Sequence, residues 1–377
     1  MPPEPIDLDA QATSPLSPAA LKAMLPLLQG QHWNPHSAHR GGRIAKAALE
    51  VARAQVAAQL GEAAEGLVFT SGATEANNLA LKGYMESAPG KALLTFATEH
   101  SCVLESARHL ERKGVPLILL PVRADGLPDL AAYEAALTTG EVALVSAMWV
   151  NNEVGSIWPI REMAAMAHAH GARFHTDAAQ AFAKLGLSGS GADMISLSAH
   201  KIGGPKGIGA LWVRPGVKLV PQMDGGGQEA GIRSGTQAPA LAAGFGAAAS
   251  AADPKATEAH ARLLAGIALE TLAAVPHRIN GPAPLGPDRW PGNLSVTFPG
   301  IEAGRLISAL PGLALSSGSA CSSGSGRPSH VLAALGLPTV EARQTLRLGW
   351  NDGISADMLL DALHQLVAAA TRLRPAA

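Results

Sequence analysis

The chain has 377 residues, a formal net charge of −1, 47% hydrophobic residues and two cysteines. That length predicts one large domain and one smaller one. The near-neutral charge excludes the basic surface typical of nucleic-acid-binding proteins and gives no attraction to anionic membranes. Two cysteines exclude a disulfide framework and favour a reducing compartment, so we expect a cytoplasmic protein.

No segment is typical of a signal peptide or a membrane span. Residues 1–5 lack a basic region followed by an apolar core. The longest uncharged run, residues 237–252, is rich in alanine and glycine rather than in leucine and isoleucine. We therefore predict a buried helix there and no contact with a membrane.

Strands and helices alternate along much of the chain. A short extended arm, residues 7–15, precedes a helix that begins near Ser17. Apolar residues at helical spacing predict a second helix over residues 44–60. The alternation over residues 67–213 then predicts a mainly parallel sheet that helices cover on both faces. Its strands are predicted at residues 67–70, 91–97, 115–121, 141–148, 172–175 and 193–197.

A smaller α+β unit is predicted to follow this α/β unit. We place the large domain at residues 16–250 and the small domain at residues 1–15 plus 251–377. Mixed strands and helices packed on one side of a sheet are typical of such a small domain. The remaining predicted elements are a helical stretch at 237–274, a surface loop at 280–291, strands at 293–298 and 313–315, and helices at 302–310 and 356–372.

Two clusters of polar side chains follow neighbouring predicted strands. Asp177 and Gln180 follow the first strand. Ser198, His200 and Lys201 follow the second. Because sites in open α/β sheets lie beyond the carboxyl ends of the strands, we expect these groups to converge. A lysine for a Schiff base and an acid beside the pyridine nitrogen are what pyridoxal 5′-phosphate (PLP) requires. A purely structural cluster at the strand ends stays open as the alternative.

A third candidate segment opens the helix after the strand at residues 67–70. It reads Ser71-Gly72-Ala73-Thr74. Small residues let a ligand approach the backbone, and the free N–H groups at a helix start bind phosphate. Ala73 and Thr74 are therefore candidates to hold the cofactor phosphate. An ordinary helix cap made by Ser71 or Thr74 is the alternative.

The two polar clusters together resemble a known family. His-Thr-Asp-Ala-Ala-Gln at residues 175–180, followed by Ser-x-His-Lys at residues 198–201, is similar to the class-V branch of the PLP-dependent transferases. Within that branch the chain resembles the cysteine desulfurases, nearly end to end. The resemblance implies a fold type I enzyme with PLP bound as follows: Lys201 in the Schiff base, Asp177 at the ring nitrogen, Gln180 at the phenolic oxygen, and Ser198 and His200 at the phosphate.

The resemblance also implies roles for three further residues. His100 would stack on the pyridine ring and shuttle a proton, since imidazole titrates near neutral pH. Asn152 would contact cofactor and substrate. Thr236 would reach the phosphate of the partner subunit, which implies a homodimer with shared active sites. Without the resemblance, His100 would be taken as structural and the glycine-rich loop before Thr236 would predict no dimer. Cys102 is interpreted as a small core residue.

Cys321 stands among serines and glycines in residues 316–326, with no aliphatic neighbours. Such a segment is expected to be exposed, and an exposed thiol invites oxidation unless it has a use. A bare cysteine on its own is more often adventitious. With Pro-Ser-His-Val-Leu at residues 328–332, however, the segment resembles the persulfide-forming loop of the long-loop desulfurases. The resemblance implies that Cys321 is the sulfur-carrying nucleophile.

Arg347 matches the arginine with which the family binds the substrate carboxylate. A planar guanidinium suits this task because it can form two parallel hydrogen bonds to a carboxylate. The family pattern Arg-x-Ser-Leu-Gly-Arg is not kept here. Straight alignment places Asp352 at the position of the second arginine.

These residues together predict a PLP-dependent cysteine desulfurase that converts L-cysteine to L-alanine and leaves the sulfur on Cys321. The expected partner is a sulfur-acceptor protein such as an iron–sulfur scaffold, and no metal is expected. Three alternatives stay open: a selenocysteine lyase, a class-V aminotransferase that does not use Cys321, and a PLP-binding scaffold or regulatory protein.

Overall fold

The computed structural model describes residues 4–139, 141–318 and 329–374. Within these ranges the chain forms twelve α-helices and twelve β-strands. The helices are α1 (Pro18–Gln29), α2 (Arg40–Leu60), α3 (Ala73–Glu86), α4 (Ser101–Arg112), α5 (Leu130–Thr139), α6 (Ile160–Ala169), α7 (Pro239–Ala251), α8 (Pro254–Leu272), α9 (Ala303–Ala309), α10 (His330–Ala334), α11 (Thr339–Arg343) and α12 (Ala356–Leu373). The strands are β1 (Ile6–Asp7), β2 (Leu67–Thr70), β3 (Ala92–Phe96), β4 (Leu117–Leu120), β5 (Val142–Met148), β6 (Arg173–Asp177), β7 (Met194–Ser198), β8 (Gly209–Val213), β9 (Arg278–Asn280), β10 (Asn293–Thr297), β11 (Leu313–Ala314) and β12 (Thr345–Gly349). Within the same ranges, no helix combines the length and the apolar character that a membrane crossing requires.

A seven-stranded sheet has the order β2-β8-β7-β6-β5-β3-β4. Strands β3 to β7 run parallel to one another. Only β8 departs, since it runs antiparallel to both of its neighbours, β7 and β2. The predicted α/β class with a mainly parallel central sheet is confirmed, and the reversed strand is an addition that the hydrophobic pattern did not predict.

The central strands bury side chains on both faces of the sheet. Leu93 belongs to the apolar cluster that α3 and α4 cover, whereas the next residue, Leu94, belongs to the larger cluster on the other face. Met194 and Ile195 of β7 divide in the same way. Because successive strand residues point to opposite faces, a sheet that helices cover on both sides needs continuous apolar runs.

The smaller part of the fold is built on a three-stranded antiparallel sheet in which β10 lies between β12 and β9. The N-terminal arm joins it, because β1 pairs in parallel with β11. Helix α8 packs on α12, while α7 packs on α1 and α2. The α+β character of this part is as predicted, and the division at residues 16–250 and 1–15 plus 251–377 stays a prediction.

Helix boundaries differ from the prediction at two places, each for a local reason. Helix α2 begins at Arg40 rather than at residue 44, because the ring of His39 accepts a hydrogen bond from the Gly42 N–H at 3.2 Å. The helical stretch at 237–274 is two helices. Asp253 accepts hydrogen bonds from the first free N–H groups of α8, and Pro254 suits the first helical position.

The predicted surface loop at residues 280–291 is partly buried. Arg289 and Trp290 are only 1% and 3% exposed. The Arg289 guanidinium donates to the carbonyl oxygens of Asn280 and Pro282, both at 2.8 Å, and so ties the loop to itself. Proline and glycine content therefore indicated the turns of this segment correctly but not its depth.

A buried carboxylate holds the edge of the large sheet at which β6 and β7 begin. Asp193 is fully buried and accepts hydrogen bonds from Arg173 at 3.0 Å and from the Phe174 N–H at 2.9 Å. His168 and Arg214 approach it at 2.6 and 3.3 Å. We expect Asp193→Asn to lower the free energy of unfolding by about 1.5–3 kcal/mol, because the neutral amide accepts through only one oxygen and loses hydrogen bonds that involve a charged group.

Urea unfolding followed by circular dichroism measures this loss. Glu105→Gln is the matched control, because it breaks an exposed ion pair with Arg108 and should change the free energy of unfolding by less than about 1 kcal/mol. Equal losses in the two variants would contradict the role assigned to Asp193.

Candidate active site

A cavity of about 450 Å³ opens where β5, β6 and β7 end and where α3 begins. Because these strands are parallel, the side chains that follow them meet at one edge of the sheet. Ten of the twelve residues singled out in the sequence line this cavity. They are Ala73, Thr74, His100, Asn152, Asp177, Gln180, Ser198, His200, Lys201 and Arg347.

Lys201 lies in the short helical turn that follows β7. Its Nζ donates hydrogen bonds to the carbonyl oxygens of Gln11 and Ala12, the second at 2.8 Å. The arm that supplies these carbonyls is fixed to the same turn, because the Ser14 N–H donates to the His200 oxygen at 2.8 Å. The N-terminal arm therefore contributes directly to the wall around the lysine.

Asp177 ends β6 and is 6% exposed. Its carboxylate accepts hydrogen bonds from the Asn77 side chain at 2.6 Å and from the Ala179 N–H at 2.9 Å. These donors orient the carboxylate within the cavity wall. Asn77 was missed in the sequence, although an amide on the buried face of α3 between Ala76 and Leu79 is the kind of signal that could have found it.

His100 caps the start of α4. Its Nδ1 accepts a hydrogen bond from the Cys102 N–H at 3.2 Å, so the neutral ring carries its hydrogen on Nε2. Burial lowers the pKa of His100, Asp177 raises it, and the charges of Lys201 and His330 lower it. The ring is therefore a neutral imidazole near pH 7, able to accept or deliver a proton.

Cys102 differs from the expected core residue because it is only half-buried and lines the cavity. Its Sγ lies 3.0 Å from His100 Nδ1 and 3.2 Å from Asn77 Nδ2. Burial raises the pKa of this thiol to about 12, and the charge of Asp177 raises it as well. Cys102 is thus a protonated thiol at neutral pH and a poor nucleophile, since the thiolate is the reactive form.

The other end of the cavity has donors suited to a phosphate. Ala73 and Thr74 form the first turn of α3, whose free N–H groups favour an anion. The hydroxyl of Ser198 is buried without a hydrogen-bond partner among the described residues. A Cβ at position 209 would lie 2.7 Å from the Gly72 Cα, so Gly209 lets this turn sit tightly against β8.

His200 completes this end of the cavity. Its Nδ1 lies 3.1 Å from the hydroxyl of Thr13 in the N-terminal arm. Burial lowers the pKa of His200 to about 4, and the charges of Lys201 and Lys206 lower it as well. A neutral ring next to an orphaned hydroxyl and a helix start can donate to a phosphate. The residues present therefore fit the phosphate, the ring nitrogen and the aldehyde carbon of PLP.

Arg347 lies on β12 and is 2% exposed. Its Nη2 donates to the carboxylate of Asp9 at 2.6 Å, and its Nη1 donates to the Asn152 carbonyl at 3.2 Å. The arginine is therefore at the cavity, as its predicted role requires, but it is already paired with a carboxylate of the arm. That partner was not foreseen, because Asp9 is 338 residues away in the chain.

Two of the positions noted in the sequence, Thr236 and Asp352, are not among the residues that line this cavity. Thr236 is exposed in the loop before α7, and its predicted contact with a partner subunit stays a prediction. Asp352 follows β12 and accepts a hydrogen bond from Thr257 at 2.9 Å. Cys321 lies outside the described residues. Among the residues that are described, no three His, Cys, Asp or Glu side chains form a group able to hold a metal.

Comparison with known proteins places this site in a family. Residues 6–350 match the family described as Aminotransferase class-V. A mitochondrial cysteine desulfurase of Arthroderma benhamiae is 44% identical over 362 residues, which cover 92% of this chain and 70% of that protein. The IscS cysteine desulfurase of Rickettsia bellii is 41% identical over 356 residues, covering 92% of this chain and 86% of the other.

The fold agrees with these matches. A solved NifS-like protein superposes with a TM-score of 0.91 and 31% identity, covering 98% of this chain and 100% of that one. The class-V families are PLP-dependent, and the donors around this cavity fit that cofactor. The chain therefore belongs to the class-V aminotransferase family and, within it, to the cysteine desulfurases.

Proposed function

We propose that this protein is a PLP-dependent cysteine desulfurase that converts L-cysteine to L-alanine and receives the sulfur on Cys321. The observation that carries the proposal is the convergence of an amine, a carboxylate and a guanidinium on a single cavity, namely Lys201, Asp177 and Arg347. The identity to named cysteine desulfurases over 92% of the chain supports the reaction type.

In this proposal, different residues of the cavity bind different parts of the cofactor. Lys201 anchors the aldehyde carbon, and Asp177 keeps a proton on the ring nitrogen. The helix start at residues 73–74 holds the phosphate, together with Ser198 and His200. When bound, PLP supplies an electron sink for negative charge at the substrate α-carbon.

The proton transfers fall to two residues of this chain. Lys201 would take the α-proton of the substrate as general base. The neutral His100 ring at the wall is the candidate to deliver a proton to the product carbon. Burial lowers the pKa of His100, and the charge of Lys201 lowers it as well, so the ring is neutral near pH 7 and accepts a proton before it can deliver one.

Sulfur transfer falls to Cys321, which lies outside the described residues. Its thiolate attacks the substrate sulfur, so that an S–S bond forms as the substrate C–S bond breaks. The electron pair of the C–S bond stays with the carbon, which takes up one proton, and a second proton replaces the one that Lys201 removed from the α-carbon, so that L-alanine is complete. The sulfane sulfur remains on Cys321 for delivery to an acceptor.

The proposal extends to assembly, although the contacts that would carry it involve a second chain. We infer a homodimer in which Thr236 reaches the phosphate of the partner subunit. The sulfur acceptor would be a protein such as an iron–sulfur scaffold, and a reducing compartment such as the cytoplasm would keep Cys321 as a thiol. Sedimentation equilibrium with and without PLP tests the dimer directly.

The deciding experiment is a product assay on the purified protein supplied with PLP and L-cysteine. A desulfurase releases stoichiometric L-alanine and carries one persulfide per chain. A selenocysteine lyase would release alanine from selenocysteine far faster than from cysteine and would not need Cys321. An aminotransferase would convert the amino acid to an oxo acid, and a scaffold would turn over none of these substrates.

Binding of the substrate carboxylate should depend on Arg347. Two substrates that differ only in the charge of that group can test this. We expect Arg347→Gln to reduce kcat/KM for L-cysteine by about 10- to 100-fold, because a hydrogen bond to a charged group contributes about 1.5–3 kcal/mol. The methyl ester of L-cysteine, which lacks the negative charge, should lose much less. Steady-state kinetics with both substrates gives the ratio.

Asp9→Asn is the matched control for that variant. It keeps the shape of the arm residue but removes the carboxylate that now pairs with Arg347. Since the freed guanidinium charge attracts the substrate more strongly, KM for L-cysteine should fall while KM for the ester stays unchanged. Equal effects on acid and ester in both variants would contradict the assignment of Arg347.

A further inference from the structure

Lys184 is a partly buried amine that the proposed mechanism does not use. It lies four residues beyond Gln180, and its Nζ donates to Gln180 Oε1 at 3.2 Å. Gln180 Nε2 in turn donates to the carbonyl oxygen of Gln11 at 2.9 Å. The same oxygen accepts a hydrogen bond from Lys201 Nζ. The four residues form one hydrogen-bonded chain that ends at the lysine of the cavity.

The first link of this chain decides how the Gln180 amide is oriented. An amide has an oxygen that only accepts and an NH2 group that only donates, and the Lys184 Nζ has hydrogens to donate whether it is an ammonium group or a neutral amine. Lys184 therefore holds Oε1 and turns Nε2 the other way. The Gln11 carbonyl takes one hydrogen of the NH2 group. Gln180 also lines the cavity, so the second hydrogen can reach an oxygen bound there.

The surroundings of Lys184 do not favour an ammonium ion. Burial lowers the pKa of Lys184 to about 7, the charge of Lys201 lowers it as well, and Asp352 raises it. The charge of Lys184 also lowers the pKa of His200. The amine lines a second cavity of about 420 Å³, whose wall includes Trp350. An apolar side chain would fill this place without the cost of burying a charge, so the hydrogen bond to Gln180 is what the lysine adds.

We propose that Lys184 is a positioning residue: it fixes the Gln180 amide so that a hydrogen-bond donor, and not the amide oxygen, faces the phenolic oxygen of PLP. This inference rests on the proposed function only in requiring PLP in the cavity. It does not require that L-cysteine be the substrate.

The test uses the holoenzyme and the visible absorbance of its bound cofactor as a function of pH. Lys184→Met keeps the length of the side chain and removes the donor. A donor to the phenolic oxygen favours its deprotonated form, so losing that donor should raise the pH midpoint of the absorbance change. The expected rise is about 0.5 to 1 pH unit, the equivalent of one hydrogen bond.

Removing the lysine charge would by itself also raise this midpoint, so the decisive comparison is a double-mutant cycle with Gln180→Leu. If Lys184 acts through the amide, Lys184→Met should add less than about 0.3 unit once Gln180 is leucine. A charge acting directly on the cofactor would instead shift both backgrounds equally. Lys184→Gln, which offers a neutral donor, should restore part of the wild-type midpoint.

Equal shifts in the two backgrounds overturn the proposal, as does an unchanged midpoint in Lys184→Met. Exposed Lys218 is the control position, and Lys218→Met should keep the wild-type midpoint. If the wild-type protein binds PLP but does not turn over L-cysteine, the proposed activity is wrong. The double-mutant cycle of Lys184 and Gln180 can still be interpreted in that case. A wild-type protein that does not bind PLP overturns both proposals.

Discussion

Lys201→Ala is expected to lower the turnover of L-cysteine by about 10³-fold or more, because general base catalysis alone contributes about 10²- to 10⁴-fold. The same residue is proposed to anchor PLP, so the visible absorbance of the lysine-linked cofactor should disappear as well. The phosphate of added PLP would still bind to the helix start at residues 73–74 and to the hydroxyl of Ser198. The variant should therefore bind the cofactor more weakly yet remain folded.

Two measurements check this result together: the rate of alanine release and the absorbance spectrum after desalting. Lys218→Ala, at an exposed position, is the control and should keep both signals. Retention of the lysine-linked spectrum in Lys201→Ala would show that another amine carries the cofactor. Lys206, which also lines the cavity, would then be the next residue to test.

Cys321→Ser is expected to abolish the persulfide on the protein and to slow alanine formation by about 100-fold or more, since a serine hydroxyl is not ionised at neutral pH and cannot replace the thiolate. The chain has only two cysteines. Mass spectrometry after a single turnover can therefore assign the added sulfur to one of them without ambiguity.

Cys102→Ala is the matched control for the sulfur assignment. Its thiol, with a pKa raised to about 12, should take no part in sulfur transfer, so the variant should still carry one persulfide. Persulfide on Cys321→Ser, or its loss in Cys102→Ala, would show that the nucleophile is Cys102, which lines the cavity. Cys321, the position that the sequence resemblance implies, would then be excluded.

The polar residues that follow the strands were predictable because a simple rule connects them. Asp177 and Lys201 end neighbouring parallel strands, and parallel strands end at the same edge. The helix start at residues 73–74 followed from the same alternation. For these positions, the order of strands and helices in the sequence already determines which end of the sheet each residue reaches.

The residues that were missed act through contacts that the pattern does not encode. Asp9 and Gln11 come from the arm, and they lie 338 and 169 residues from Arg347 and Gln180, the groups they touch. Lys184 carries no signal of its own, because a lysine after a strand usually faces water. Only the folded chain shows that its amine turns inward to Gln180.

The burial predicted from composition was also wrong at two places, Cys102 and residues 280–291. Cys102 was assigned to the core from its chemistry, but a helix that starts at the cavity leaves its first residues beside the opening. Residues 280–291 were assigned to the surface from their prolines and glycines, although a buried arginine satisfies the carbonyls of that loop from within. In both cases the local pattern described the backbone correctly and could not describe its neighbours.

The long separation between Asp9 and Arg347 has a consequence for biosynthesis. The ribosome synthesises the arm before β12, and domains form as their residues emerge. The arm can pair with β11 and with Arg347 only after those segments have left the exit tunnel. A nascent chain truncated before β12 would therefore lack the contact of Asp9 with Arg347 beside the cavity, and synthesis of β12 adds it.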